Sequence, residues 1–464
     1  QDDRWPDLEK CELSAAGGRI TASARCGTLS VPENREQPDG RALELAWAVI
    51  PARSSTVEPD PVVFLAGGPG QAARDIAPIM QGPFGDVNRT RDLIFLDQRG
   101  TGGSNALSCE FDEELMMAEE GFDELERQLR SCLDELDAEA EHYATRDGAA
   151  DLDALRAELG IENWNLVGGS YGTRMAQVYL REYPDRVRSM ILDGVVPSRL
   201  RLGSEHAEKL DQALERLFEA CAEDPACADR FPGLADRFVE LKAQYSEEPL
   251  AIQVTHPRTG VAESIDFSDE TLAGSLRFLA YAPESQMMIP YLIHEAATTG
   301  SPERLAAQAL IVGDQMTDTL AIGLNFSVGC AEDWPHWPAG RDDSGTLLGN
   351  SMRELYDRIC AWWPADPVGI EFFEAFSSDV PVLLLSGERD PVTPPEYGDE
   401  AARQYANSLH LVAEGRGHIV VTNGCIAGIA TQFISAGSVD ELDTECMESI
   451  GPEPFFLDLL GPAP

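Results

Sequence analysis

Six short, largely apolar runs recur along the chain, at residues 62–65, 93–96, 165–167, 190–192, 382–385 and 409–412, each bounded by turn-forming residues. Such runs are too short for a helix that hides one face, and they suit strands buried on both faces of a parallel sheet. Helical spacing fills the gaps. Leu152, Leu155 and Leu159 fall on one face and are followed by Gly160, a helix stop. Val178, Tyr179 and Tyr183 mark a second helix, ended by Pro184. Strand and helix in alternation predict an α/β fold with a mostly parallel, doubly wound sheet. An earlier stretch, residues 27–50, reads as antiparallel opening strands turned at Pro38-Asp39-Gly40.

From about Ser198 to Ser377 this rhythm stops. The stretch is rich in Ala, Leu, Glu and Arg, with Leu210, Leu214, Leu217 and Phe218 at helical spacing. It reads as a large, mainly helical cap inserted into the core. The expected partition is core 1–198, cap 199–378 and core again 379–464. A chain of 464 residues exceeds the usual reach of a single hydrophobic core, as an inserted cap requires.

The ten cysteines stand at 11, 26, 109, 132, 221, 227, 330, 360, 425 and 446. They fall into close sequential couples and lack the spacing of a zinc site. The expected disulfides are 11–26, 109–132, 221–227, 330–360 and 425–446, which implies an oxidising compartment, secreted or periplasmic. The first residues, Gln1-Asp2-Asp3-Arg4, lack the features of a signal peptide, so the chain is read as a mature product after cleavage. Acidic residues outnumber basic ones by 81 to 35, for a net charge of −46. Such a surface repels nucleic acid and anionic membranes, and no apolar run reaches the length of a membrane span. The oligomeric state is left open.

Chemistry concentrates at Gly168-Gly169-Ser170-Tyr171-Gly172, between a strand and a helix. A sharp strand-to-helix turn needs glycine around the serine and lifts its hydroxyl above the sheet. A serine needs a base, and the base an orienting acid, in the chain order Ser, Asp or Glu, His for this fold. Asp390 lies in the loop beyond the 382–385 strand, and His418 in the loop beyond the next one. Ser170, Asp390 and His418 are therefore the candidate triad, with Glu388 ranked below Asp390. The histidines at 142, 206, 256, 294 and 336 precede Asp390, and His410 sits within a strand. An oxyanion hole is expected from the backbone N–H of Tyr171 and of Gly68, favoured over Gly67, in Ala66-Gly67-Gly68-Pro69-Gly70.

Together, Phe64-Leu65-Ala66-Gly67-Gly68-Pro69-Gly70, Asp97-Gln98-Arg99-Gly100-Thr101-Gly102-Gly103-Ser104, Gly168-Gly169-Ser170-Tyr171-Gly172-Thr173 and Gly387-Glu388-Arg389-Asp390-Pro391-Val392-Thr393-Pro394 resemble the proline iminopeptidase and tripeptidyl aminopeptidase family of serine α/β-hydrolases. The likeness is greatest to its secreted tripeptidyl aminopeptidase-like branch. It implies a serine exopeptidase acting on peptides with a free amino terminus, through an acyl-enzyme, without metal or organic cofactor. Two departures stand out. Ala66 occupies the place where many relatives have histidine, so the oxyanion loop must be anchored in another way. Trp334-Pro335-His336-Trp337 is followed by Pro338 rather than glutamate, which speaks against strict proline specificity.

A carboxylesterase with the same triad is the alternative, since fold does not dictate function. A non-catalytic binding protein on the same scaffold is disfavoured because no triad member is lost. For the ammonium of a peptide substrate, Glu332 and Asp333 are the candidates, an acidic pair flanked by Cys330 and Trp334.

Overall fold

Alternate residues of the apolar runs enter two different cores. In the computed structural model, which describes residues 4–15, 18–109, 121–317 and 319–462, the strands in chain order are β1 (Glu9–Ser14), β2 (Thr21–Pro32), β3 (Ala42–Ile50), β4 (Val62–Leu65), β5 (Leu93–Leu96), β6 (Trp164–Gly169), β7 (Val187–Asp193), β8 (Leu250–Thr255), β9 (Ala262–Phe267), β10 (Val382–Gly387) and β11 (Ser408–Ala413). All but β8 and β9 form one sheet, in the order β1-β2-β3-β5-β4-β6-β7-β10-β11. From β5 to β11 every neighbour is parallel, and β1, β2 and β3 extend the sheet antiparallel. Val63, Leu65, Ile94, Leu166, Met190 and Leu384 pack on one face. Val62, Phe64, Phe95, Val167, Ile191 and Leu385 pack on the other. Burying a side chain of this size contributes roughly 1.5–3 kcal/mol, so each short strand is held from both sides.

Strand order reverses around β4, whose neighbours are β5 on one side and β6 on the other. In an open α/β sheet the crevice beyond the strand ends at such a reversal is where ligands bind. The loop after β4 carries Gly67 and Gly68, and the turn after β6 carries Ser170.

The long segment between β7 and β10 has a core of its own, in which Leu210, Leu214, Leu217 and Phe218 meet Leu272, Leu276 and Ile289. It is mainly helical, but β8 and β9 pair as an antiparallel hairpin within it, which corrects the expectation that strands stop there. Ile252 and Val254 point inward while their neighbours are exposed. That period of two marks a half-buried strand, a weaker signal than the uniformly apolar runs. The edge strand β1 was missed for the same reason, since most of its residues are exposed. The five disulfides are those expected from the sequential couples, and they indicate an oxidising environment. Among the described residues no helix is long and apolar enough to cross a membrane.

The Asp97–Ser104 motif fixes the end of β5. The Arg99 guanidinium, with no exposed surface, donates to both carboxylate oxygens of Asp151 at 2.6 and 2.7 Å and to the carbonyls of Glu33 and His142 at 2.8 and 2.7 Å. It thereby joins β5, the end of β2 and the helix Thr145–Glu158. Replacing Arg99 with Met leaves Asp151 buried without its main cation, and should cost about 3–5 kcal/mol in urea unfolding. A loss below about 1 kcal/mol, the range of exposed pairs, would show that this cluster does not hold the layers together.

Candidate active site

The turn after β6 is shaped by what cannot fit. A β-carbon on Gly168 would lie 2.5 Å from the carbonyl oxygen of Gly172, and one on Gly172 would lie 2.1 Å from that of Leu65. The backbones of β4, β6 and the helix Tyr171–Glu182 therefore touch, and Ser170 is forced to φ 55° and ψ −124°. This is a strained conformation for a residue with a β-carbon. It is stabilised by backbone hydrogen bonds from Ser170 N to the Asp193 carbonyl at 2.8 Å and from Thr173 N to the Ser170 carbonyl at 2.9 Å. Tyr171 is the first residue of the helix, where the backbone N–H has no intrahelical acceptor.

The loop after β4 faces this turn. A β-carbon on Gly67 would lie 3.1 Å from that of Ser170. The Gly67 N–H donates to the Gln71 side chain at 3.3 Å. The Gly68 N–H has no acceptor among the described residues, and φ of Gly68 is +108°. With Ala66 at its start, the loop is anchored from the inserted segment. Ala321 N donates to the Gly70 carbonyl at 2.9 Å, and Asn325 Nδ2 to the Pro69 carbonyl at 3.2 Å.

Asp390 and His418 meet beyond β10 and β11. His418 Nδ1 lies 2.8 Å from Asp390 Oδ2, and the Thr393 hydroxyl donates to the same oxygen at 2.8 Å. The backbone N–H groups of Val392 and Thr393 donate to Asp390 Oδ1, both at 2.8 Å. Burial would raise the Asp390 pKa, but the charge and hydrogen bond of His418, with those N–H groups, hold it below the usual carboxylate value. Burial would lower that of His418. The Asp390 carboxylate outweighs it, Asp193 adds to the effect, and the imidazole sits above its ordinary 6.5. Glu388 instead accepts the Gly415 N–H at 2.8 Å.

Asp193, at the end of β7, ties the two halves of the site together, and sequence reading missed it. While its carbonyl holds Ser170, its carboxylate accepts the Val420 N–H at 2.9 Å and the Val421 N–H at 2.7 Å, just after His418. Burial lifts its pKa to about 6, against the pull of those N–H groups. A glycine follows it: a β-carbon on Gly194 would lie 3.0 Å from His418 Cε1. An aspartate ending a buried strand just before a glycine was the available signal.

The inserted segment also braces the loops that carry His418 and Asp390. His418 N donates to the Tyr281 carbonyl at 2.8 Å, and the Tyr281 ring stands edge-on to the imidazole at 5.6 Å. Gln286 Nε2 donates to the carbonyl of Arg389, beside Asp390, at 3.0 Å.

Two sequence expectations change in this light. His410 is more than a strand histidine: its ring nitrogens contact Ser386 Oγ at 2.9 Å and Asp399 Oδ1 at 2.8 Å, a hydrogen-bonded Ser-His-Asp set away from Ser170. Ser386 has no exposed surface, so no substrate reaches its hydroxyl. Glu332 and Asp333 do not form an open acidic receptor. Both are almost wholly buried around Arg174, whose guanidinium lies 3.3 Å from Glu332 and 2.9 Å from Asp333. Glu332 also accepts the N–H and hydroxyl of Thr145 at 2.6 and 2.8 Å, and the Thr145 hydroxyl lies 2.8 Å from that of Tyr171. Asp333 accepts the Leu202 N–H at 2.7 Å. Buried acids at this density must be paired, and here the partner is protein. Glu332→Gln should lower stability by about 1–3 kcal/mol in urea unfolding; an unchanged midpoint would contradict this structural employment.

The chain matches the model of the α/β hydrolase fold over residues 60–253 and that of "TAP-like protein" over residues 346–446. It is 28% identical to serine protease Hip1 of Mycobacterium tuberculosis, over 94% of this chain and 90% of that protein. It is 25% identical to the tripeptidyl aminopeptidase of Streptomyces coelicolor, over 97% and 87%. It is also 25% identical to carboxylesterase B of Mycobacterium tuberculosis, over 91% and 86%. The sheet order and the strained serine turn agree with these matches: the chain has the α/β-hydrolase fold and is similar to the tripeptidyl aminopeptidase-like hydrolases.

Proposed function

We propose that this chain is a secreted serine exopeptidase that cleaves peptides near a free amino terminus, through an acyl-enzyme, as a tripeptidyl or prolyl aminopeptidase does. The observation that carries this reading is the convergence of two loops on Asp193. Its carbonyl holds the strained turn at Ser170, its carboxylate holds the N–H groups of Val420 and Val421 just after His418, and Asp390 orients the His418 ring. Relatives named as a serine protease and a tripeptidyl aminopeptidase support the peptide substrate.

In the proposed reaction, Ser170 Oγ attacks the scissile carbonyl and gives its proton to His418 Nε2, while Asp390 holds Nδ1 and stabilises the imidazolium. The N–H groups of Tyr171 and Gly68 hold the oxyanion. His418 then protonates the leaving amine, and water, deprotonated by His418, releases the acyl group from Ser170. The core comprises residues 1–198 and 379–464. The cap, 199–378, covers the site and limits cleavage to chain ends. Because Glu332 and Asp333 are closed around Arg174, the ammonium receptor is another group of the cap.

Ester hydrolysis by the same triad is the second reading, favoured by the relative named carboxylesterase B. Mass spectrometry of a digested peptide library separates the two. Short fragments released from free amino termini, and none from amino-blocked peptides, are expected; cleavage of esters alone would overturn the peptidase reading. Replacing Ser170 or His418 with Ala should lower turnover by several orders of magnitude, and a folded Ser170→Ala protein of near-native activity would refute the mechanism. The base works only when neutral, and Asp390 holds His418 above 6.5. The acid limb of kcat/KM should therefore have its midpoint above pH 6.5, and a midpoint below it would contradict the described site.

A further inference from the structure

Tyr281 carries an aromatic side chain from the inserted segment to the imidazole of His418, and the reaction as written gives that side chain no task. It lies between the helix Asp269–Leu279 and the short helix Pro283–Gln286. Its main chain is clasped from several directions. The Tyr281 N–H closes a turn on the Phe278 carbonyl at 3.2 Å, and the Tyr281 carbonyl accepts the His418 N–H at 2.8 Å. Gln286 Nε2 donates to the carbonyls of Ala280 and Arg389, which ties the same loop to that of Asp390. The approach to the His418 loop is close: a β-carbon on Gly417 would lie 2.5 Å from the Tyr281 carbonyl oxygen. The backbone thus fixes the point from which the ring reaches the imidazole, edge-on, with centroids 5.6 Å apart and planes at 84°.

The edges of that imidazole are already divided. Nδ1 faces Asp390 at 2.8 Å and Thr393 at 3.2 Å, and a β-carbon on Gly194 would come within 3.0 Å of Cε1. Nε2 is left for the reaction, and the leaving atom must come to it to receive its proton. A ring packed beside this imidazole therefore borders the leaving half of the substrate. Tyr281 is open to such a contact. It is partly exposed, whereas Tyr171, Tyr179 and Tyr397 are buried. Its hydroxyl makes no hydrogen bond among the described residues, so the side chain is not committed elsewhere in the fold. An aromatic ring of this kind gains most from another aromatic or apolar group against it.

We propose that Tyr281 forms a wall of the leaving-side subsite and determines specificity there, favouring an aromatic or apolar side chain on the residue just after the scissile bond. This rests on the peptidase reading, and the test uses esters so that the two can fail separately. Benzyl and methyl esters of one tripeptide share their acyl group and differ only in the alcohol that leaves. Tyr281→Ala should lower kcat/KM for the benzyl ester by about fivefold, the worth of one aromatic contact, and change that for the methyl ester by less than about twofold. Tyr281→Phe, which keeps the ring, should keep the native ratio. Taking the ratio on one preparation removes any difference in the folded fraction, and every variant retains the backbone carbonyl that holds His418. An equal loss on both esters would make the ring a mere support of the imidazole and overturn the proposal. An unchanged ratio, or a Phe variant no better than Ala, would overturn it as well. Hydrolysis of both esters without cleavage of the same tripeptide extended by phenylalanine would sink the peptidase reading and still decide the role of Tyr281.

Discussion

The contact of Gly172 with the carbonyl of Leu65, and of Gly168 with Gly172, is the constraint on which the site is built. Three backbones converge where a side chain of even one carbon would collide. The chain can leave β6 for its helix only by passing through the strained conformation at Ser170. That conformation persists because the flanking sheet is buried on both faces and cannot relax. The hydroxyl is placed by main-chain packing, which is more rigid than placement by side chains alone.

From that turn the order spreads by hydrogen bonds rather than by apolar contact. Asp193 holds the serine with its carbonyl and the loop after His418 with its carboxylate, so one residue ties the turn at Ser170 to the loop of His418. The inserted segment then braces each remaining loop: Ala321 and Asn325 the glycine loop, Tyr281 the base loop, and Gln286 the acid loop. Arg174, on the nucleophile helix, is locked to Glu332 and Asp333 of the same segment. The inserted segment is therefore part of the site's framework.

Much of this was legible in the chain, for identifiable reasons. Uniformly apolar runs identify strands buried on both faces, and glycines around a serine identify a turn without room for side chains. Their order along the chain picked out Asp390 and His418, whose side chains lie 2.8 Å apart. The hairpin β8–β9 was hidden because one face of each strand is exposed, leaving only weak alternation. Glu332 and Asp333 misled because adjacency in sequence does not reveal the cation they face, and Arg174 lies far away in the chain. Gln286 acts through a main-chain contact, which leaves no local pattern, and Asp193 left only the weak signal of an aspartate before a glycine at a strand end.

Besides Ser170 and the His418–Asp390 pair, the molecule holds Ser386 hydrogen-bonded to His410, and the account requires that Ser170 alone be reactive. Labelling the native protein with a serine-directed phosphonate, followed by peptide mapping, tests this most directly. The account predicts one adduct, on Ser170, abolished by replacing His418 with Ala and unaffected by replacing His410 with Ala. An adduct on Ser386, or an unlabelled Ser170 in folded protein, would contradict it.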